Sequence, residues 1–110
     1  MKNNLKCENK LFNESGYLID FYKWNKSIAK VLANCEKIHL TKKHWFVIYF
    51  IRKFYLINKV PPSLRVIAKI MKKIYKKEFN GSIVLFKMFP MGPMNQATKI
   101  AGLPKLKLCL

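Results

Sequence analysis

The stretch from Thr41 to Asn58 constrains this chain most. Thr41 is a good helix N-cap, its side-chain oxygen suited to the free N–H groups of a first turn. Leu40 before it and Trp45 inside the helix can close a hydrophobic staple. Lys42 and Lys43 in that first turn oppose the helix dipole, so capping and packing set the start, not charge. From Trp45 to Leu56 the helix is apolar nearly all round, which predicts that it is buried at the centre of the fold. Its longest uninterrupted apolar run, Trp45 to Ile51, is followed by Arg52 and Lys53 and is too short to span a bilayer. The other elements must cover this helix, and 110 residues suffice for one domain with a single modest core.

The flanking segments supply the cover. Residues 1–20 carry no helical period. Glu8-Asn9 and Asn13-Glu14-Ser15-Gly16 are turn signals between short apolar pieces, which predicts two or three short strands in a small meander. From about Asp20 to Cys35, Trp24, Ile28, Val31, Leu32 and Cys35 fall on one helical face, so Cys35 is expected inside as a small core residue. After the central helix, Val60-Pro61-Pro62-Ser63 breaks the chain and opens another helix. Leu64, Ile67, Met71 and Ile74 form its inner stripe; Arg65, Lys69, Lys72, Lys73 and Lys76 form its outer one. Asn80-Gly81-Ser82 leads into a short helix over Ile83 to Phe89, closed by Pro90. A last helix runs from about Met94 to Ala101 and ends at Gly102.

Charge and chemistry narrow the function. The formal net charge is +17, which attracts nucleic acid or an acidic partner. Twenty lysines against two arginines is the pattern of compositional bias more than of a phosphate clamp, which favours the arginine fork. Five acidic residues leave no paired carboxylates for acid–base work, and no Gly-rich phosphate loop is present. Cys35, His39 and His44 offer three possible ligands where a structural zinc site needs four. His44 is better placed at the third position of its helix, beside the Thr41 cap. Three cysteines make no disulfide framework, and no signal sequence is read at the start. The expectation is a soluble, cytoplasmic, thiol-reduced protein with no membrane partner and no cofactor.

The C-terminal stretch differs from the rest. Pro90 to Pro93 and then Gly102 and Pro104 bracket the last helix, and beyond Pro104 only alternating Lys and Leu remain. Cys109 is next to last, which excludes a prenylation signal. Eight or nine residues past Gly102 reach about 30 Å if extended. A thiol on such an arm suits the handover of a sulfur atom between proteins. Lys99, Lys105 and Lys107 raise the local potential and favour the thiolate, modestly because exposed charges are screened.

Phe89-Pro90-x-Gly92-Pro93-x-x-Gln96-Ala97-x-Lys99-x-Ala101-Gly102-Leu103-Pro104-Lys105 with Cys109 resembles the C-terminus of the TusE/DsrC family. Gly16-Tyr17-Leu18, Trp24-Asn25, Leu40-Thr41-x-x-His44-Trp45, Arg52-x-x-Tyr55 and Pro62-x-x-Arg65 follow in the family's order, from about Leu5 to Leu110. The resemblance implies an α+β, mostly helical fold: a strand meander over 1–20, a helical body over 21–102 with about five helices, and a mobile arm over 103–110. It implies a sulfurtransferase in which Cys109 carries a persulfide. The donor is a TusBCD-like complex and the acceptor a MnmA-like thiouridylase with or without bound tRNA, for 2-thiolation of wobble uridine. Arg65 matches a position that holds the arm or contacts partners. One family branch has a second arm cysteine and works with dissimilatory sulfite reductase; here that region is Ala97-Thr98-Lys99, so the chain is similar to the other branch.

Two departures stand out: Leu106 where the family has proline, and Lys37 where it has glycine. If that glycine has positive φ, Lys37 is strained or the turn differs. Two alternatives remain open at this point. One is a partner of dissimilatory sulfite reductase; the other is a basic nucleic-acid-binding module, since the central helix, the Pro61-Pro62 turn and the basic helix have a helix-turn-helix outline.

Overall fold

The computed structural model describes residues 11–76 and 81–104. Five helices follow one another: α1 (Lys26–Cys35), α2 (Lys42–Asn58), α3 (Leu64–Tyr75), α4 (Gly81–Met88) and α5 (Pro93–Ile100), with a 3₁₀ turn over Phe21–Lys23 ahead of α1. Local chemistry sets most of the starts. Asp20, Asn25, Thr41 and Ser63 each accept a hydrogen bond from a backbone N–H two or three residues on. The last three cap α1, α2 and α3. At α2 the cap is reciprocal: Thr41 takes the His44 N–H and the His44 ring takes the Thr41 N–H. Histidine fills the position that Glu or Gln holds in the usual capping box.

The N-terminal meander is not supported. Among the described residues there is no strand, only one isolated antiparallel bridge between Phe12 and Leu18. The turn at Asn13 to Gly16 forms as expected, with the Asn13 side chain accepting from Ser15 and Tyr17 and Gly16 at φ 85°. Between its arms the Asn13 N–H donates to the Tyr17 carbonyl and the Ile19 N–H to the Leu11 carbonyl, and then Asp20 caps the 3₁₀ turn. One pair of bonds does not make a ladder, and the 3₁₀ turn takes the residues a second strand would need. Residues 1–10, with the Glu8-Asn9 turn, lie outside the described residues.

The central helix is correct in place and extent but not buried all round. Val47, Ile48 and Ile51 are fully enclosed, while Tyr49, Leu56 and Ile57 are exposed, Ile57 at 69%. The four other helices cover only one side of this seventeen-residue rod. On α3, Ile67 and Met71 are buried as expected and Ile74 is half exposed; Arg65, Lys69, Lys72, Lys73 and Lys76 are all on the solvent side. On α1 the inward face is Ile28, Ala29, Leu32 and Ala33. The two alanines let α5 pack closely against it. Cys35 closes α1, is exposed, and is disulfide-bonded, so it is not the core thiol its spacing suggests. The other two cysteines, Cys7 and Cys109, lie outside the described residues.

Two helix ends share one design. Glu36 follows α1, Lys37 sits at φ 59°, and the N–H groups of Lys37 and Ile38 return to the carbonyls of Asn34 and Ala33. This is a Schellman turn, which normally uses glycine at the left-handed position. Lys37 therefore takes the strained option, as its substitution for glycine suggested. The end of α5 repeats the turn with Gly102 at φ 81°.

Candidate functional site: the socket that holds the end of α5

Helix α5 is only eight residues long, yet among the described residues it and residues 101–103 after it form the most enclosed segment. Pro93, Gln96, Ala97, Thr98, Ile100, Ala101, Gly102 and Leu103 are buried. It packs against both α1 and α2 and also touches α4. Such a short helix gains little from propensity and stands by tertiary contact. Its start is fixed by Gly92 at φ 115° and by Pro93 at the first helical position.

The last carbonyls of a helix lack intrahelical partners and must find others when buried. Here each one does. Ala97 accepts from the Ala101 N–H, Thr98 from Leu103 and Lys99 from Gly102. The Ile100 carbonyl accepts from Trp24 Nε1 at 2.8 Å, and the Ala101 carbonyl from Arg52 Nη1 at 2.9 Å. The other guanidinium nitrogen reaches the Phe21 carbonyl at 3.2 Å. The Arg52 carbon lies 3.8 Å from the Phe21 ring centroid and 4.3 Å from that of Trp24. A cation here also complements the negative end of the α5 dipole. Burial brings the Arg52 guanidinium down from its ordinary value to about 10, with Tyr49 pulling the other way, so it is still charged at neutral pH.

On the opposite side Glu36 ties α5 to the turn after α1. Its carboxylate accepts from Gln96 at 3.0 Å and pairs with Lys99 at 2.7 Å. Burial pushes the carboxyl up, but the hydrogen bonds from Lys99 and Gln96 and the Lys99 charge together outweigh it, leaving Glu36 below the ordinary carboxylate range. Gln96 also accepts from the Met91 N–H at 2.9 Å, fixing the turn before α5. His44 secures the end of α4: Nδ1 accepts from the Thr41 N–H at 3.2 Å, and Nε2 meets the Met88 carbonyl at 2.9 Å. These partners define the neutral form with the proton on Nε2. Burial lowers the His44 pKa, the Met88 carbonyl pulls it back up, and His39 adds a smaller lowering. Both ring nitrogens are thus engaged, and the grouping of Cys35, His39 and His44 is not a ligand set: among the described residues no cluster suits a metal.

The sequence-predicted residues divide as follows. Cys109, Lys105 and Lys107 lie outside the described residues. Arg65 is exposed as the second residue of α3 and reaches none of the α5 contacts. Arg52, Trp24 and Glu36 do, and sequence reasoning gave them no part in the site. Their signal was present: an arginine inside an otherwise apolar helix has to find acceptors. No helix among the described residues is long and apolar enough to cross a membrane.

Comparison with known proteins bears on what this socket serves. The family model described as "DsrC like protein" matches residues 4–110. The curated protein "Sulfurtransferase TusE" of Pectobacterium atrosepticum is 46% identical over 95 residues, covering 86% of this chain and 87% of that one. The protein of the same name from Buchnera aphidicola subsp. Schizaphis graminum is 52% identical over 96 residues, covering 86% and 83%. Among solved structures, the oxidized gamma-subunit of the dissimilatory sulfite reductase (DsrC) from Archaeoglobus fulgidus superposes with a TM-score of 0.80 at 33% identity, covering 90% of each chain.

Proposed function

The chain belongs to the DsrC-like family and is a sulfurtransferase, and from that premise we propose that it carries sulfur as a persulfide on Cys109 in a relay for tRNA 2-thiolation. The observation that supports this most is the reach of the family match, which runs through residue 110 and so includes Cys109. The donor is a TusBCD-like complex and the acceptor a MnmA-like thiouridylase with or without bound tRNA, all in the cytoplasm. No cofactor is used, because the sulfur is held covalently.

The Cys109 thiol gives its proton to solvent, and the thiolate attacks the outer sulfur of the donor persulfide. The donor S–S bond breaks, the donor leaves as a thiolate, and Cys109 holds the new persulfide. The acceptor's thiolate then repeats the step on Cys109. Two lone pairs move and no oxidant is consumed. The body contributes position. Every carbonyl from Ala97 to Ala101 is engaged, and Leu103 is enclosed, so the segment leading to Cys109 leaves from a fixed point. A fixed origin narrows the volume the thiol has to search and raises its effective concentration at a docked partner.

The test is the intact mass of fully reduced protein after incubation with a cysteine desulfurase, the upstream relay proteins and cysteine. Prior reduction matters because Cys35 is disulfide-bonded. One added sulfur atom is expected, removable by reductant and absent in Cys109→Ser. No added sulfur, with a control carrier loaded in parallel, would overturn the reading. The sulfite reductase reading requires a second arm thiol to form an internal disulfide, and residues 97–99 supply none.

A further inference from the structure

Away from the socket, the outer faces of α1 and α2 meet in a groove of a different character. Lys26 and Lys30, one turn apart on α1, face Lys42, Trp45 and Tyr49, which fall one turn apart on α2; together they line a hollow of about 340 Å³. A second hollow of about 250 Å³ shares Lys30 and Trp45 and continues along Asn34 and His39. Among the described residues no carboxylate lines either hollow, and none of the three lysines has an ion-pair partner. The rings of Trp45 and Tyr49 lie near parallel, 29° apart with centroids at 6.0 Å, and Tyr49 is 43% exposed.

We infer that this groove binds single-stranded RNA, the three lysines on successive phosphates and the exposed Tyr49 ring, backed by half-buried Trp45, under unpaired bases. Both halves of the chemistry are needed. Lysines alone would suit any polyanion, but flat exposed rings flanked by cations are how proteins hold unpaired nucleotides. A duplex keeps its base faces stacked away from such rings. An acidic peptide would satisfy the lysines and leave the rings without a partner. The choice of RNA over DNA rests on the proposed role in tRNA thiolation; the choice of a single strand rests on the groove. The placement also fits. Tyr49 meets Trp24 edge-on at 5.6 Å, and Trp24 holds the Ile100 carbonyl, so the groove lies one ring away from the point where the segment bearing Cys109 begins. The carrier itself thereby grips the RNA strand near the point where that segment begins.

The test uses full-length protein with Cys109→Ser, so that thiol chemistry plays no part. It is titrated with oligouridylate of roughly ten nucleotides, a length within the range such sites hold, following tryptophan fluorescence at several salt concentrations. Quenching is expected, with log K falling against log salt at a slope of about −2 for three phosphates. Changing Lys26, Lys30 and Lys42 together to Gln should weaken binding at least tenfold and flatten that slope. Tyr49→Leu should weaken it at least fivefold, and Tyr49→Phe, which keeps the ring, should retain it. The decisive control is the triple Arg65→Gln, Lys69→Gln, Lys72→Gln on α3, which removes the same charge from another face. If it weakens binding as much as the groove triple, only a diffuse positive cloud is at work and the inference falls. It falls equally if duplex RNA or polyglutamate of matched charge binds as tightly, or if Tyr49→Phe behaves like Tyr49→Leu. Loss of sulfur loading with RNA binding intact would instead sink the carrier reading and leave the groove standing.

Discussion

Gly102→Ala tests the socket most sharply. A Cβ built at Gly102 would lie 2.5 Å from Trp24 Cδ1, 3.0 Å from Trp24 Cγ and 3.2 Å from Arg52 Nη1. Real Cβ atoms do not approach that closely, so something has to move. Trp24 has nowhere to go, since its Nε1 holds the Ile100 carbonyl, Arg52 lies over one face and Tyr49 meets its edge. Two costs combine. A non-glycine residue at φ 81° costs about 1–2 kcal/mol, and overpacking a closed site adds roughly 1–3 kcal/mol. A sum near 3 kcal/mol corresponds to a fall in Tm of roughly 12–24 °C for a domain of this size.

Gly81→Ala separates the two costs. Gly81 also has positive φ, 65°, but a Cβ there meets nothing within 4 Å, so only the backbone cost of about 1–2 kcal/mol is expected. Thermal unfolding followed by circular dichroism on the two variants and the parent reads the difference directly. If Gly102→Ala melts no lower than Gly81→Ala, then Trp24 is free to move aside. The socket would then not be the rigid origin on which the positional argument depends.

Other consequences follow from the same contacts. Arg52→Lys keeps the charge but loses the planar fork to Ala101 and Phe21, and should cost about 1.5–3 kcal/mol in denaturant unfolding. Lys37→Gly relieves a left-handed lysine and should stabilise by roughly 1 kcal/mol; a loss of stability would mean that the Lys37 side chain contributes more than its backbone costs. His44 has a folded pKa below its unfolded value, so the unfolded chain takes up that proton first. Its contribution is full above about pH 6.5 and declines as pH falls through that value, and His44→Gln should flatten this part of a stability profile. Glu36 has its folded pKa depressed, so its contribution holds above its ordinary pKa near 4.5 and is lost as pH falls through the lower folded value. Glu36→Gln should remove that second, more acidic step and leave the first in place.

What could be read from the sequence tracks how local the cause is. The starts of α2 and α3 were legible because Thr41 and Ser63 act within one turn, and the end of α5 because Gly102 supplies a local left-handed turn. The α1 face differs from its spacing by about one residue because α1 begins only at Lys26, after a separate 3₁₀ turn, so Ala29 and Ala33 are buried with Ile28 and Leu32 while Cys35 is exposed. Alternation between turn signals suggested strands over 1–20, but pairing needs a partner of sufficient length, which no local pattern guarantees. The socket was least visible, because its parts are 49 and 76 residues apart in the chain. The sequence shows Trp24 as one member of an apolar face and Arg52 as the charge that ends an apolar run, and no local pattern joins either to the end of α5.

On the proposed role, the reason lies in what a carrier requires of its body. A thiol that visits two partners has to leave its own fold freely, yet its segment has to start from one place. A helix end is a poor anchor, since its final carbonyls want partners and fray toward water. In this chain Trp24 and Arg52 occupy the two carbonyls that the Schellman turn leaves over, Ile100 and Ala101, and Leu103 closes the turn with its side chain enclosed. Pro104, without an N–H, follows at the exposed edge and makes no further demand for a backbone partner. The body therefore has its hydrogen bonds complete at Leu103. On the proposed role, the sulfur handover then asks nothing further of these backbone groups.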